Sequence, residues 1–219
     1  MVKVKICGIT NREDALAAIA FGADAVGFLV GRVHPSKSVF ISAEGAARIA
    51  AELPPFCSTV LVTHLARLPE ILEAARTARV TTIQLHGDTD RGEAEEIRKR
   101  LPYVKVYKAV HVIGEAPLSE AQTLAGHVDG IVLDTAIPET GQVGGTGKTH
   151  DWEVSRAIVQ AVGLPVILAG GLKVENVREA IQRVQPYAVD VNSGISFPDG
   201  TKDHCRLKRF IEEAKRTMG

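Results

Sequence analysis

The chain has 219 residues, 45% of them hydrophobic and 24% charged, an ordinary globular composition with enough apolar material for a substantial core. Its 26 Lys plus Arg balance 26 Asp plus Glu, so no basic excess points to nucleic acid or to an anionic membrane surface as partner. No apolar run reaches the length of a membrane span, and the first residues enter a charged strand with no signal-peptide pattern.

In chain order, residues 3–7 form a short strand that ends in Cys7 and turns through Gly8 toward a helix over 12–21, which Asn11 can cap and Gly22 can close. A strand at 25–30 precedes a helix at 43–53, opened by Ser42 with Glu44 in its first turn. Strands at 58–62, 82–86 and 104–110 alternate with helical patterns at 69–79, 91–101 and 118–126. The strand at 130–134 ends in Asp134 and leads to a helix at 152–162, where Trp152 reads as packing. Strands at 165–169 and 188–191 precede the last helices, at 174–184 and 205–217.

Near-continuous apolar strands alternating with amphipathic helices indicate a parallel sheet covered by helices, and eight such units close most naturally as an α/β, single-domain (β/α)8 TIM barrel spanning 1–219. A doubly wound open sheet is the alternative, but it usually has fewer strands, and no G-x-G-x-x-G follows the first one here. Residues 135–151, rich in glycine and directly after Asp134, suit a lid over the barrel mouth. Cys7, Cys57 and Cys205 are odd in number and lack CxxC or Cys/His ligand spacing, so free thiols in a reducing cytoplasm are expected, with no metal site.

Active sites in parallel α/β folds lie at the carboxyl ends of the strands. Cys7 stands there, as a buried hydrophobe or as a reactive thiol. Asp134 also stands there, as a helix cap or turn former, or as an acid or base. His86, in Gln84-Leu85-His86-Gly87-Asp88, reads as substrate contact or structure rather than catalysis, and the other histidines have no partner pattern. Gly170 and Gly171 follow the seventh strand, and Ser193 and Gly194 follow the eighth. Glycines there let backbone N–H groups approach an anion, so the two loops together favour a phosphate-bearing small-molecule ligand. Gly144-Gly145-Thr146-Gly147-Lys148-Thr149 is not a P-loop, because Gln142 stands where its first glycine belongs.

These segments occur together in a known order. Lys5-Ile6-Cys7-Gly8-Ile9-Thr10, Gln84-Leu85-His86-Gly87-Asp88, Leu133-Asp134, the Gly144–Thr149 run with Asp151-Trp152, Ala169-Gly170-Gly171-Leu172 and Ser193-Gly194 resemble the phosphoribosylanthranilate isomerase family over essentially the whole chain. The resemblance implies a (β/α)8 isomerase of tryptophan biosynthesis that performs an Amadori rearrangement without a cofactor, as a monomer or homodimer. It implies Cys7 as general base and Asp134 as general acid. Gly170, Gly171, Ser193 and Gly194 would hold phosphate, and Lys5, His86 and Gly145 would contact substrate. The acid role requires a raised carboxyl pKa at Asp134 and the base role a lowered thiol pKa at Cys7, with Lys5, on the same strand face, able to supply charge. The chain departs from the family where its carboxylate-binding arginine aligns with Val39, leaving Lys37 or Arg32 as substitutes. It also departs at Thr63-His64 and at Asn192-Ser193-Gly194-Ile195-Ser196. A paralogous isomerase acting on another N-phosphoribosyl amine, or a barrel that binds a phosphorylated ligand without turnover, are the competing readings.

Overall fold

Alternate residues of each strand point to opposite faces, and both faces are largely apolar here, so the sheet has to be buried on both sides. A computed structural model shows how, and describes residues 1–31, 39–87, 89, 91–113, 116–137, 142–143 and 149–216. Eight parallel strands, β1 (Lys3–Ile6), β2 (Ala25–Val30), β3 (Ser58–Thr63), β4 (Thr82–Leu85), β5 (Lys105–His111), β6 (Gly130–Asp134), β7 (Val166–Leu168) and β8 (Ala188–Val191), form a closed barrel. Each pairs with its neighbours in sequence. Closure of β8 on β1, from Lys3↔Ala188 to Ile6↔Val191, removes the open-sheet alternative.

Helices α1 (Arg12–Ala20), α2 (Ala43–Ala50), α3 (Leu68–Ala78), α4 (Arg91–Arg100), α5 (Pro117–Leu124), α6 (Trp152–Ala161), α7 (Val177–Val184) and α8 (His204–Lys215) follow the strands in turn. Asn11 caps α1 by accepting from the Asp14 N–H, and Ser42 caps α2 by accepting from the Gly45 N–H. Gly22, with φ at 103°, takes the left-handed turn that closes the first unit. Most boundaries fall within two residues of expectation, and two differ by three. Helix α7 begins three residues late because Asn176 folds back, accepting from the Lys173 N–H and donating to the Gly171 carbonyl, which holds residues 173–176 in a turn. Helix α2 ends at Ala50 because the following N–H groups switch to three-residue turns, Glu52 to Ile49 and Leu53 to Ala50, ahead of Pro54.

Two apolar layers result. The larger lies between sheet and helices and includes Val4, Ile6, Phe28, Ile83, Leu133 and Phe210. Inside the barrel, Val60 and Val62 pack beside Cys7, while Val132, Ile167, Ala169 and Ala188 pack against Tyr107. Trp152 is buried under α6 as expected. The three cysteines are free, and among the described residues no helix is long and apolar enough to cross a membrane.

Candidate active site

Cys7 follows β1, and its N–H donates to the Val191 carbonyl at 2.8 Å, extending the ladder with β8 by one residue. Gly27 on β2 makes room for it, since a Cβ there would lie 3.0 Å from the Cys7 Sγ and 3.1 Å from the Lys5 Cε. One step below in the barrel, Lys5 is paired in register with Asp190, and its Nζ donates to Asp190 Oδ2 at 2.7 Å with both side chains buried. Burial is the largest influence on Lys5 and opposes its charge, but Asp190 and Cys7 outweigh it and hold its pKa above the usual lysine value. Burial is also the largest influence on Cys7 and pushes the thiol pKa up. Lys5 and Lys202 pull it down without overcoming burial, to which Asp190 adds. The free site therefore holds Cys7 as a thiol, contrary to the lowered pKa expected of it.

Asp134 ends β6, 7% exposed. Its Oδ1 accepts the Thr135 N–H at 2.7 Å, and its Oδ2 lies 3.3 Å from His86 Nε2. With the Gln84 amide donating to His86 Nδ1 at 3.3 Å, the other ring nitrogen carries its proton toward the carboxylate. Burial is again the largest influence and favours the neutral acid. The hydrogen bond and charge of His86, the Thr135 N–H and His111 together hold the carboxyl below its ordinary value. This too reverses the expectation, because the bonds that orient Asp134 also favour its ionised form.

The histidines that showed no pattern in sequence are gathered here. His64 after β3 and His111 ending β5 flank His86 edge-on, with ring centroids 4.7 and 5.4 Å away. Burial is the main cause that lowers the His111 pKa and favours its neutral ring. His150, pushed down to about 4 mainly by burial, bridges Thr135 Oγ1 at 3.0 Å and Ser155 Oγ at 2.8 Å, tying the end of β6 to α6.

Between Cys7 and Asp134 around the rim stand the loops after β7 and β8. Gly170 and Gly171 take left-handed φ values of 74° and 65°, which only glycine adopts freely. Gly194 lies in a short 3-10 turn, Ser193–Ile195, so close to the first loop that a Cβ would sit 2.1 Å from the Leu172 carbonyl. The two loops are thus packed backbone to backbone. A cavity of about 690 Å³ opens at this end of the barrel, lined by Cys7, Asp134, His86, Gly170, Gly171 and Ser193 among others.

Lys5 stands beneath Cys7, engaged with Asp190. Gly145 lies outside the described residues, as do Arg32 and Lys37 and most of the expected lid; what is described of that segment is a two-stranded antiparallel ribbon, Ala136–Ile137 with Gln142–Val143. Val39 and His64 line the cavity. Asp190, Asn192, Gln84 and Arg206 also line it and were not named as site residues from the sequence. Asp190 and Gln84 had a legible signal, since a charged or amide side chain inside an apolar strand needs a partner or a ligand.

Comparison with known proteins agrees with the fold. The family model for N-(5'-phosphoribosyl)anthranilate (PRA) isomerase matches residues 4–213. The chain is 43% identical over 98% of its length to N-(5'-phosphoribosyl)anthranilate isomerase 2 of Methanosarcina mazei, covering 94% of that protein. It is also 43% identical to the isomerase of Thermotoga maritima, covering 98% of this chain and 99% of the relative. The crystal structure of the Thermotoga maritima isomerase superposes with a TM-score of 0.86 at 42% identity, covering 98% of this chain and 99% of that one. A phosphoribosylanthranilate isomerase solved in complex with reduced 1-(o-carboxyphenylamino)-1-deoxyribulose 5-phosphate superposes with a TM-score of 0.83 at 39% identity, covering 98% and 99%. With this match over nearly its whole length, the chain belongs to the phosphoribosylanthranilate isomerase family.

Proposed function

We propose that this chain isomerises N-(5-phosphoribosyl)anthranilate to 1-(2-carboxyphenylamino)-1-deoxyribulose 5-phosphate in tryptophan biosynthesis, with Asp134 as general acid and Cys7 as general base. The observation that carries this reading is that a buried thiol and a buried carboxyl line one cavity at the carboxyl ends of β1 and β6, with the paired glycine loops between them. The loops bearing Gly170, Gly171, Ser193 and Gly194 bind the phosphate through backbone N–H groups and anchor the sugar across the barrel mouth. His86 orients Asp134, and Lys5 acts on Cys7 from below. The substrate is a phosphorylated small molecule, and the reaction is placed in the cytoplasm, where free thiols persist.

The chemistry is one of proton placement. Asp134 in its acid form protonates the furanose ring oxygen; the ring C–O bond breaks as the nitrogen lone pair forms a Schiff base. The Cys7 thiolate removes the proton on the adjacent carbon, giving an enolamine that tautomerises to the aminoketose. No electrons are gained or lost overall. The pair holds a single proton before and after turnover and none between the two transfers. In the free site it resides on Cys7, and the productive arrangement has it on Asp134, whose Oδ2 lies 3.3 Å from His86 Nε2.

The test follows the loss of anthranilate-type fluorescence when freshly prepared phosphoribosylanthranilate is added to the wild type, Cys7→Ser and Asp134→Asn. Turnover by the wild type, with each variant slowed by about 10²–10⁴-fold while still binding a reduced product analogue, is the expected result. Folded wild type without turnover, or a fully active Cys7→Ser, overturns the assignment.

A further inference from the structure

The segment between β8 and α8 carries a charged side chain that no step above uses. Lys202 is 3% exposed, and its Nζ donates to Asn192 Oδ1 at 2.8 Å and to Ser196 Oγ at 2.9 Å, both oxygens of neutral side chains. A buried ammonium held by neutral acceptors keeps more of its field than one bonded to a carboxylate, and that field carries further in the barrel than in water.

The position is held from several sides. The Lys202 N–H donates to Asp14 Oδ2 at 3.0 Å, and Asp14 is itself held by Asn11 and His204. Ser196 Oγ donates to the Asn192 carbonyl at 2.8 Å, and a bridge pairs Ser196 with Lys202. At the far side of this network the Asn192 amide packs against Gly8, where a Cβ would meet Asn192 Oδ1 at 2.5 Å. Gly8 directly follows Cys7, and Asn192 lines the same cavity as Cys7. The charge therefore sits one hydrogen-bonded side chain from the residue next to the thiol.

We propose that Lys202 is a positioning residue that holds its ammonium behind Asn192 as a fixed positive charge favouring the Cys7 thiolate. The inference rests on the reading of Cys7 as the base. The titratable groups that act on Lys202 are Lys5 from β1, Cys7 just after it, Asp190 from β8 and Asp14 from α1, with His204 paired to Asp14. Burial is the largest of these influences and brings Lys202 down to about 8, so the charge is present at neutral pH and is lost just above it. Lys5 and Lys202 are the two cations that pull the Cys7 thiol down, and Lys5 is neutralised in part by Asp190.

The experiment is alkylation of Cys7 by iodoacetamide in the protein without substrate, resolved by peptide mass spectrometry from Cys57 and Cys205, as a function of pH. Lys202→Met is expected to react about tenfold more slowly than wild type near pH 7, equivalent to about one pKa unit in the thiol. The gap should close above pH 8 as the wild-type lysine loses its proton. Lys202→Arg should match the wild-type rate near pH 7 and exceed it above pH 8, because guanidinium does not titrate there. A gap that stays constant across pH, or no gap at all, overturns the proposal and leaves Lys202 as packing. Should Lys202→Met fail to fold, the wild type supplies the same test. Its log rate should rise with unit slope below the lysine titration and pause near pH 8 before rising again. A straight line through pH 8 refutes the inference. Because no substrate is present, an unmoved alkylation profile counts against Lys202 alone, whereas absence of turnover counts against the proposed reaction.

Discussion

Breaking the Lys5–Asp190 pair one side at a time should produce equal damage to stability and opposite effects on the thiol. The two charges are 2.7 Å apart, with side chains 8% and 7% exposed. At an effective dielectric of about 20 their attraction is about 6 kcal/mol, set against a desolvation cost of several kcal/mol for each ion. Asp190 Oδ1 has no hydrogen-bond partner among the described residues, so the pair does not recover that cost fully. The net worth of the pair is therefore small, but removing one member strands the other. Lys5→Met and Asp190→Asn should each cost about 3–5 kcal/mol, which for a chain of this size lowers Tm by about 6–20 °C. The double variant should cost clearly less than the sum.

The thiol separates this account from a packing effect. Lys5 pulls the Cys7 pKa down and Asp190 pushes it up, so Lys5→Met should slow Cys7 alkylation at pH 7 and Asp190→Asn should speed it. Thermal unfolding followed by circular dichroism, together with peptide-resolved alkylation rates, measures both quantities. Additive losses in the double variant would remove the ion pair as a coupled unit. Reactivity changes of the same sign in both single variants would show that the residues act on Cys7 through shape and not through charge.

Gly170→Ala should cost about 1–2 kcal/mol for the left-handed backbone alone. Its Cβ would lie 2.3 Å from Thr135 Oγ1 and 3.0 Å from Asp134 Oδ1, so kcat should fall while Cys7 alkylation is unchanged; intact kcat would show that Asp134 is not positioned by this loop. The pH profile of kcat/KM should be a broad bell, with its acid limb below the ordinary aspartate range and its alkaline limb above the ordinary thiol range. An alkylation midpoint for Cys7 that coincides with the acid limb would contradict the assignment of the limbs. Asn11→Ala, which removes the cap of α1, should cost about 1 kcal/mol, or about 2–4 °C in Tm; no change in Tm would mean that the cap bond to the Asp14 N–H contributes nothing.

What could be seen in the chain before folding depended on how local each feature was. The strands at 25–30, 130–134 and 188–191 begin and end where expected, since each is a run of apolar residues bounded by turn formers. Cys7 and Asp134 were found by their place at strand ends. Lys5 was placed on the Cys7 face by strand alternation, yet Asp190, a charge within Ala-Val-Asp-Val, gained its meaning only from the register that sets it opposite a residue 185 positions away. The pKa directions failed for the same reason. Burial was anticipated at Asp134, but the Thr135 N–H and His86 that reverse its effect are contributed by the turn after β6 and by another strand. His64 and His111 carried no pattern, because their relation to His86 exists only across three adjacent strands. Lys202 sits in a turn that periodicity cannot read, and its burial is set by α1 and the β8 loop together.

The inverted resting state of the proposed acid and base explains why so many charges surround them. A thiol and a carboxylate sharing one proton show the same bell-shaped dependence on pH whichever group holds it, so the limbs alone do not fix the arrangement. The height of the plateau does depend on it. Each pKa unit by which Cys7 lies above Asp134 lowers the productive fraction about tenfold. Every interaction that lowers the thiol or raises the carboxyl therefore acts directly on the rate, and those that do the reverse have to serve another end. Lys5 and Lys202 belong to the first kind. His86 and the Thr135 N–H belong to the second: they lower the carboxyl pKa, and they also fix Asp134 toward the cavity in one orientation. The barrel thus trades a smaller productive fraction for an acid held in place, and cations beneath and behind Cys7 recover part of the difference.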